Sequence, residues 1–218
     1  MKHFLLKQTG LLILLAISNV AWAQTEFLEL VMSGSLSDVT SAIMAGADVN
    51  TEDEFGYTAL MLASVNPDPE VVKVLLNAGA DVNARDNDGG TPLMSIVYHT
   101  ESVEVTKMLL ERSADVNASS KSGMTPLMAA AFGNENLEIT QTLLEAGADI
   151  HARYKDDTTP LTWAVMSNKN PEVIRLLIAA GADITVRNAL GSTALDYAYL
   201  NEALRGTDIY ELLRPVQD

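Results

Sequence analysis

Beyond its first 23 residues the chain holds two histidines, His99 and His151, and no cysteine occurs anywhere in it. An imidazole beside a carboxylate such as Glu101 can ligate a divalent metal or move a proton, but a metal site needs several ligands at recognisable spacings, and none frame these two. The missing cysteines exclude disulfides, thiolate metal sites, cysteine nucleophiles and lipid attachment at a processed terminus. No phosphate-cradling glycine loop and no nucleophile motif is present. The thioethers of Met61, Met94 and Met128 suit a soft metal such as Cu(I) or an oxidation buffer. Their return at equivalent positions of a repeated phrase fits stacking in a core better. Asn117-Ala118-Ser119 is a glycosylation sequon, but Asn117 also ends a phrase that recurs along the chain. The sequence thus predicts no catalytic residue, no metal ligand and no cofactor.

Charge narrows the partners. The 218 residues carry a formal net charge of -15, and residues 1 to 23 contribute two lysines and no acid to it. A surface so acidic repels phosphate backbones and anionic lipid, both of which need clustered Lys and Arg. Nucleic acid and membrane are therefore excluded as partners of the remaining chain, and a basic protein fits better. The same charge also serves plain solubility.

Residue spacing shows which elements position these groups. The phrase Gly46-Ala47-Asp48-Val49-Asn50 returns as Gly79 to Asn83, Ser113 to Asn117, Gly147 to His151 and Gly181 to Thr185. Twelve residues after each start stands a second phrase, beginning at Thr58, Thr91, Thr125, Thr159 and Thr193. A threonine hydroxyl caps a helix by accepting an orphan backbone N–H, and proline next to it, as at Pro92, Pro126 and Pro160, loses nothing because its missing N–H had no helical partner. A second cap follows at Ser35, Asp68, Ser102, Asn136 or Asn170, ahead of apolar residues at helical spacing such as Val71, Val74 and Leu75. Glycine then closes that helix in a left-handed conformation. Residues 26 to 45 read as a helix pair with no hairpin before it, and 193 to 213 as a last pair.

Two phrases in fixed phase five times over resemble the ankyrin-repeat family, whose unit is a β-turn and two antiparallel helices with a period of 33. The resemblance implies an all-α solenoid of about six helix-turn-helix repeats joined by β-hairpin-like loops, at residues 24–50, 51–83, 84–117, 118–151, 152–185 and 186–218. Departures are visible. The family's histidine after Thr-Pro-Leu is replaced by Met61, Met94, Met128, Thr162 and Asp196, so its side-chain hydrogen bond is expected to be lost at every copy. The middle copies carry one extra residue, expected between their helices, and the last copy is longer through Asn201 to Gly206. Asp157 stands where the family prefers glycine.

Family members bind proteins on a concave surface of hairpin tips and first helices, without catalysis. Carried onto this sequence, the contact positions are Glu54, Phe55, Tyr57, Val65 and Asn66 in one copy, and Asn87, Asp88, Gly90, Tyr98 and His99 in the next. They continue as Lys121, Ser122, Met124, Phe132 and Gly133, then Lys155, Asp156, Thr158, Met166 and Ser167. Phe55, Tyr57, Tyr98 and Phe132 are expected to form a row of anchors on one face. The resemblance implies a monomeric protein-binding module or scaffold. An inhibitor or immunity-type protein that blocks one periplasmic enzyme or toxin is the narrower alternative.

Residues 1 to 23 pair a basic start at Lys2 and Lys7 with an apolar run from Leu11 to Val20 and end in Ala21-Trp22-Ala23. That is the pattern of a secretory signal peptide, its run shorter than the roughly 20 residues that span a bilayer. The exported chain is expected to begin at Gln24 and to accumulate in the periplasm or outside the cell. N-terminal sequencing of the protein from those fractions checks this, and a cytosolic product beginning at Met1 would refute it.

Overall fold

The computed structural model describes residues 24–215, so the signal peptide expected at residues 1 to 23 lies outside the described residues. Two compact units divide the chain after Ala80.

In the first unit, helix α1 covers 24–33 and α2 Leu36–Met44. Helix α3, Ala59–Leu62, runs on as a 3₁₀ turn over Ala63–Val65, and α4 spans Glu70–Asn77. An antiparallel bridge between Glu52 and Thr58 closes the hairpin ahead of α3. The second unit holds the first helices α5 (Pro92–His99), α7 (Pro126–Gly133), α9 (Pro160–Ser167) and α11 (Ala194–Ala198). Its second helices are α6 (Val103–Glu111), α8 (Leu137–Glu145), α10 (Pro171–Ala179) and α12 (Ile209–Leu212). First helices pack on first helices and second on second, so each repeat buries its apolar face against its neighbours. Among the described residues the chain is all-α, as its two phrases predict.

The caps form as their residue types require. Thr58, Thr91 and Thr125 accept the backbone N–H of Met61, Met94 and Met128 at 3.3–3.4 Å. Ser102, Asn136 and Asn170 cap the second helices. Asp68 differs, because Pro69 takes the capping position of α4 while the Asp68 carboxylate accepts the N–H of Glu70 at 3.0 Å. Each second helix before α12 ends in paired reverse bonds, such as Gly147 N–H to the Leu144 carbonyl and Ala148 N–H to that of Leu143, both 3.0 Å. The geometry requires a left-handed residue, and φ is +88° at Gly147. Ser113 makes the same bonds at φ +64° with a Cβ attached.

Asparagine carries most of the cross-repeat bonding. At the ends of α3, α7, α9 and α11, a buried or half-buried side-chain amide donates to two carbonyls one repeat earlier. Asn134 reaches Val97 and Thr100, both at 2.7 Å, Asn168 reaches Ala131 and Asn134 at 2.9 Å, and Asn201 reaches Val165 and Asn168. In the first unit Asn66 does the same toward Val31 and Gly34. Each Oδ1 then accepts a backbone N–H two residues on, as Asn136 N–H does on Asn134. Asn66 is thus a buried structural bridge and not a partner-contact position. At the opposite edge, the Asn117 amide donates to the Gly147 carbonyl and its Oδ1 accepts the N–H of Asp149, which commits the sequon asparagine to the fold.

Two expectations need correction. The extra residue of the middle copies lies inside the first helix, since seven residues separate Thr58 from Asn66 and eight separate Thr125 from Asn134. The 3₁₀ turn at Ala63–Val65 makes up the length, because three residues rising about 2.0 Å each advance as far as four at about 1.5 Å. The side-chain bond expected to be lost at every copy survives in two. The Thr162 and Thr159 hydroxyls lie 3.1 Å apart, and the Asp196 carboxylate accepts the N–H and hydroxyl of Thr193. Only Met61, Met94 and Met128 replace that bond by burial.

The methionine burial sets an order of oxidation. Under mild peroxide Met44, 84% exposed, is expected to form sulfoxide first while Met61 and Met128 stay reduced until the fold opens, as peptide mass spectrometry can follow. The strain at Ser113 sets a second outcome. Ser113→Gly is expected to stabilise by up to ~1 kcal/mol, less the unfolded-state entropy that glycine adds. In a stack where each repeat touches only its neighbours, residues 103–117 are expected to exchange amide hydrogens sooner than 137–151, and the glycine variant to narrow the gap. A lower denaturant midpoint for Ser113→Gly at unchanged slope would contradict this.

Candidate functional site

The hairpin tips of the second unit are tied into a row by single backbone bonds. Lys121 N–H donates to the Asp88 carbonyl, Lys155 N–H to Ser122 and Ala189 N–H to Asp156, each at 2.8 Å. Inside three of these tips one side chain five residues before the cap threonine closes the turn. Asp86 accepts the N–H of Asp88 and Gly90, Ser120 those of Ser122 and Met124, and Asn188 those of Leu190 and Ser192. Asp53 does the same in the first unit.

Tyr154 occupies that position in the remaining tip and offers no such acceptor. The Asp156 carboxylate takes over in part, accepting the N–H of Thr158 at 3.1 Å. Asp157 enters the left-handed region at φ +64°, a non-glycine conformation it shares only with Ser113 among the described residues. The tip keeps its backbone closure, with Tyr154 N–H on the Thr158 carbonyl at 2.9 Å. Such a departure from local rules carries a cost that the site must repay elsewhere.

What Tyr154 does instead is join a run of rings. It meets Trp163 edge to face at 5.5 Å between centroids, Trp163 meets Phe132 edge to face at 5.1 Å, and Phe132 stacks on Tyr98 at 6.1 Å, 15° from parallel. His99 stands edge-on to Tyr98 at 4.7 Å. The rings come from α5, α7 and α9 and from the tip before α9, so the stacking of first helices brings them together. Tyr98 is 39% exposed, whereas Phe132, Trp163 and Tyr154 are half-buried. The Trp163 indole N–H is buried without an acceptor. Gly133 belongs to this arrangement, since a Cβ there would lie 2.4 Å from a Tyr98 ring carbon.

The carried-over positions separate accordingly. Tyr98, His99 and Phe132 converge. Asn87, Asp88, Lys121 and Lys155 are exposed on the tips beside them, and Met124 and Asp156 are half-buried there. Lys155 sits 5.5 Å above the Tyr154 ring. In the first unit Glu54, Phe55 and Tyr57 are exposed together on one tip, Phe55 at 59%. Trp163 and Tyr154 were not among those positions. Trp163 stands four residues after its cap threonine, on the helix face that Tyr98 and Phe132 reach from seven, and Tyr154 is the one tip residue of its kind without a turn-forming side chain. Both signals are in the sequence.

Charge is spread unevenly. Tip and first-helix stretches 84–99, 118–133, 152–167 and 186–200 carry five bases and five acids, whereas second-helix stretches 100–117, 134–151 and 168–185 carry four bases and ten acids. Residues 24–80 carry one base against nine acids. The second-helix side contains Arg175, set between Glu172 and Asp208; the hydrogen bond from this guanidinium holds the Asp208 carboxyl below its usual range. Among the described residues, no group of three His, Asp or Glu side chains is placed to hold a metal, and no helix is long and apolar enough to cross a membrane.

Comparison with known proteins agrees with this architecture. A family model described as ankyrin repeats, in three copies, matches residues 27–120, 63–154, 104–188 and 127–215 in overlapping registers. A search of curated proteins returned no match. The overlapping matches take in nearly the whole described chain, its helix pairs recur in the phase of the two phrases, and its cross-repeat asparagines join each pair to the last within a unit. The chain belongs to the ankyrin-repeat family.

Proposed function

We propose that this chain is a non-catalytic protein-binding module that acts in the periplasm or outside the cell and recognises its partner through the tips and first helices. Ankyrin repeats suggest protein binding, and the observation that carries the finer reading is the run Tyr98–Phe132–Trp163–Tyr154. Rings of this kind, partly exposed and rimmed by polar tips, have the make-up of interface anchors. The location rests on the leader pattern of residues 1 to 23.

A second reading has its own observation. The single base among nine acids in residues 24–80, with Glu54, Phe55 and Tyr57 on one tip, suits a basic target, as for an inhibitor or immunity-type protein that occludes one enzyme or toxin. Such binding is steered by long-range charge and weakens as salt rises.

Affinity capture from a periplasmic fraction tests both readings. A single hydrolase or toxin is expected for the inhibitor, and an assembly for the scaffold. The triple variant Phe55→Ala, Tyr57→Ala, Tyr98→Ala is expected to weaken capture by several kcal/mol, at ~2 kcal/mol or more for each anchor, with helical circular dichroism retained. Wild-type affinity in a folded triple variant would refute the assignment of this surface.

A further inference from the structure

We propose that Gln24, once cleavage after Ala23 makes it the first residue of the exported chain, closes on itself to pyroglutamate and so blocks the terminus ahead of α1. The inference rests on the export reading above and adds what becomes of the new end.

The step needs nothing beyond the residue itself. Cleavage turns the backbone nitrogen of Gln24 from an amide, which is a poor nucleophile, into a primary amine. An α-amino group titrates near ~8, so part of it is unprotonated close to neutral pH. Its lone pair attacks Cδ of the same side chain, a five-membered ring closes through the new N–Cδ bond, and the Cδ–Nε2 bond breaks. Ammonia leaves and carries away one proton of the amine. No oxidation state changes, and no metal, cofactor or second residue takes part. The terminus loses its positive charge and keeps one lactam N–H.

The fold leaves this step open. Gln24, Thr25 and Glu26 are exposed, and α1 is first held to the core at Phe27 and Leu28, 3% and 7% exposed, and then at Val31. Gln24 lines a surface groove together with Glu26, Leu30, Ala45 and Asp48. Ring closure only requires the Gln24 side chain to turn back on its own nitrogen, and exposed side chains change rotamer within ~nanoseconds. Lys73 is the single lysine or arginine of residues 24–80 and pairs with Glu70 at 2.7 Å, so no second amine of that unit competes for the Gln24 amide.

The same exposure gives the ring its consequence. The first turn of α1 projects ahead of the buried Phe27, and exposed termini are where proteolysis concentrates. An aminopeptidase engages a free α-amino group, which pyroglutamate lacks. The ring therefore guards the turn that leads into the first buried residues of the stack.

The test isolates the mature chain from the periplasmic fraction and cuts it with a protease that cleaves before aspartate, which releases residues 24–37. A synthetic open peptide of the same sequence is carried through identical handling. The native peptide is expected to weigh about 17 Da less than the synthetic one, the mass of the ammonia lost. It is expected to resist stepwise N-terminal sequencing, and to read from Thr25 onward after pyroglutamyl aminopeptidase has removed the ring. Gln24→Asn keeps a primary amide but could close only through a strained four-membered ring, so its peptide is expected to stay open. Exposed to a general aminopeptidase, the mature chain is expected to remain intact while the Gln24→Asn chain loses its first residues. An open glutamine on a chain that begins at residue 24, equal ring content in the synthetic peptide, or equal trimming of the two chains would overturn the proposal and leave export standing. A periplasmic chain that begins at any other residue refutes the cleavage site, and the ring with it.

Discussion

A helix of eight or nine residues leaves about as many backbone groups unpaired at its ends as it pairs inside, and alone in water it would be marginal. Every other feature of this chain depends on how those ends are satisfied. The cap side chains take the N-terminal donors, and the reverse bonds through glycine or Ser113 take carbonyls at the ends of second helices. The remaining first-helix carbonyls accept from an asparagine one repeat later. One amide side chain thereby does two jobs, since its donors bind the previous repeat while its oxygen holds the start of its own second helix. Thr100 stands at this position after α5 and has no amide to donate; its hydroxyl only accepts the N–H of Ser102.

With helix ends paired, side chains of the first helices need not serve the backbone, and those on the tip side are available for other contacts. In the second unit that freedom is used for rings. Tyr98, Phe132 and Trp163 come from three successive first helices, and their edge-to-face and stacked geometry follows from the regular advance of one repeat on the next. The exception is Tyr154, which comes from a tip and replaces a turn-forming side chain. The tip remains closed because neighbouring residues compensate, Asp156 by its carboxylate and Asp157 by its backbone conformation.

In the second unit acidic charge gathers on the second helices, where Glu172, Arg175 and Asp208 form a local network, and residues 24–80 carry nine acids against one base. A single net charge for the chain therefore hides two environments. One is a nearly balanced surface that carries the aromatic run, and the other is an acidic tip carrying Phe55 and Tyr57.

The repeat, its period and its caps were legible in the sequence because each is a local event: a threonine hydroxyl reaches an N–H three residues on, and glycine tolerates positive φ wherever it stands. Ser113 and Asp157 stand out in the sequence by the same reasoning, and both hold positive φ. What the sequence did not decide were roles that depend on how a side chain turns or on a residue about 34 positions away. Asn66 looked like a surface position by alignment and is a buried bridge, because its partners belong to the preceding helix pair. Thr162 and Asp196 looked like lost hydrogen bonds, yet their side chains could turn back to the cap. Trp163 and Tyr154 lie at different offsets from their threonine; Tyr154 meets Trp163 where the tip folds against its own first helix, and Trp163 meets Phe132 only because α9 packs beside α7. Local chemistry sets which elements form, and the packing of one repeat on another decides which side chains meet.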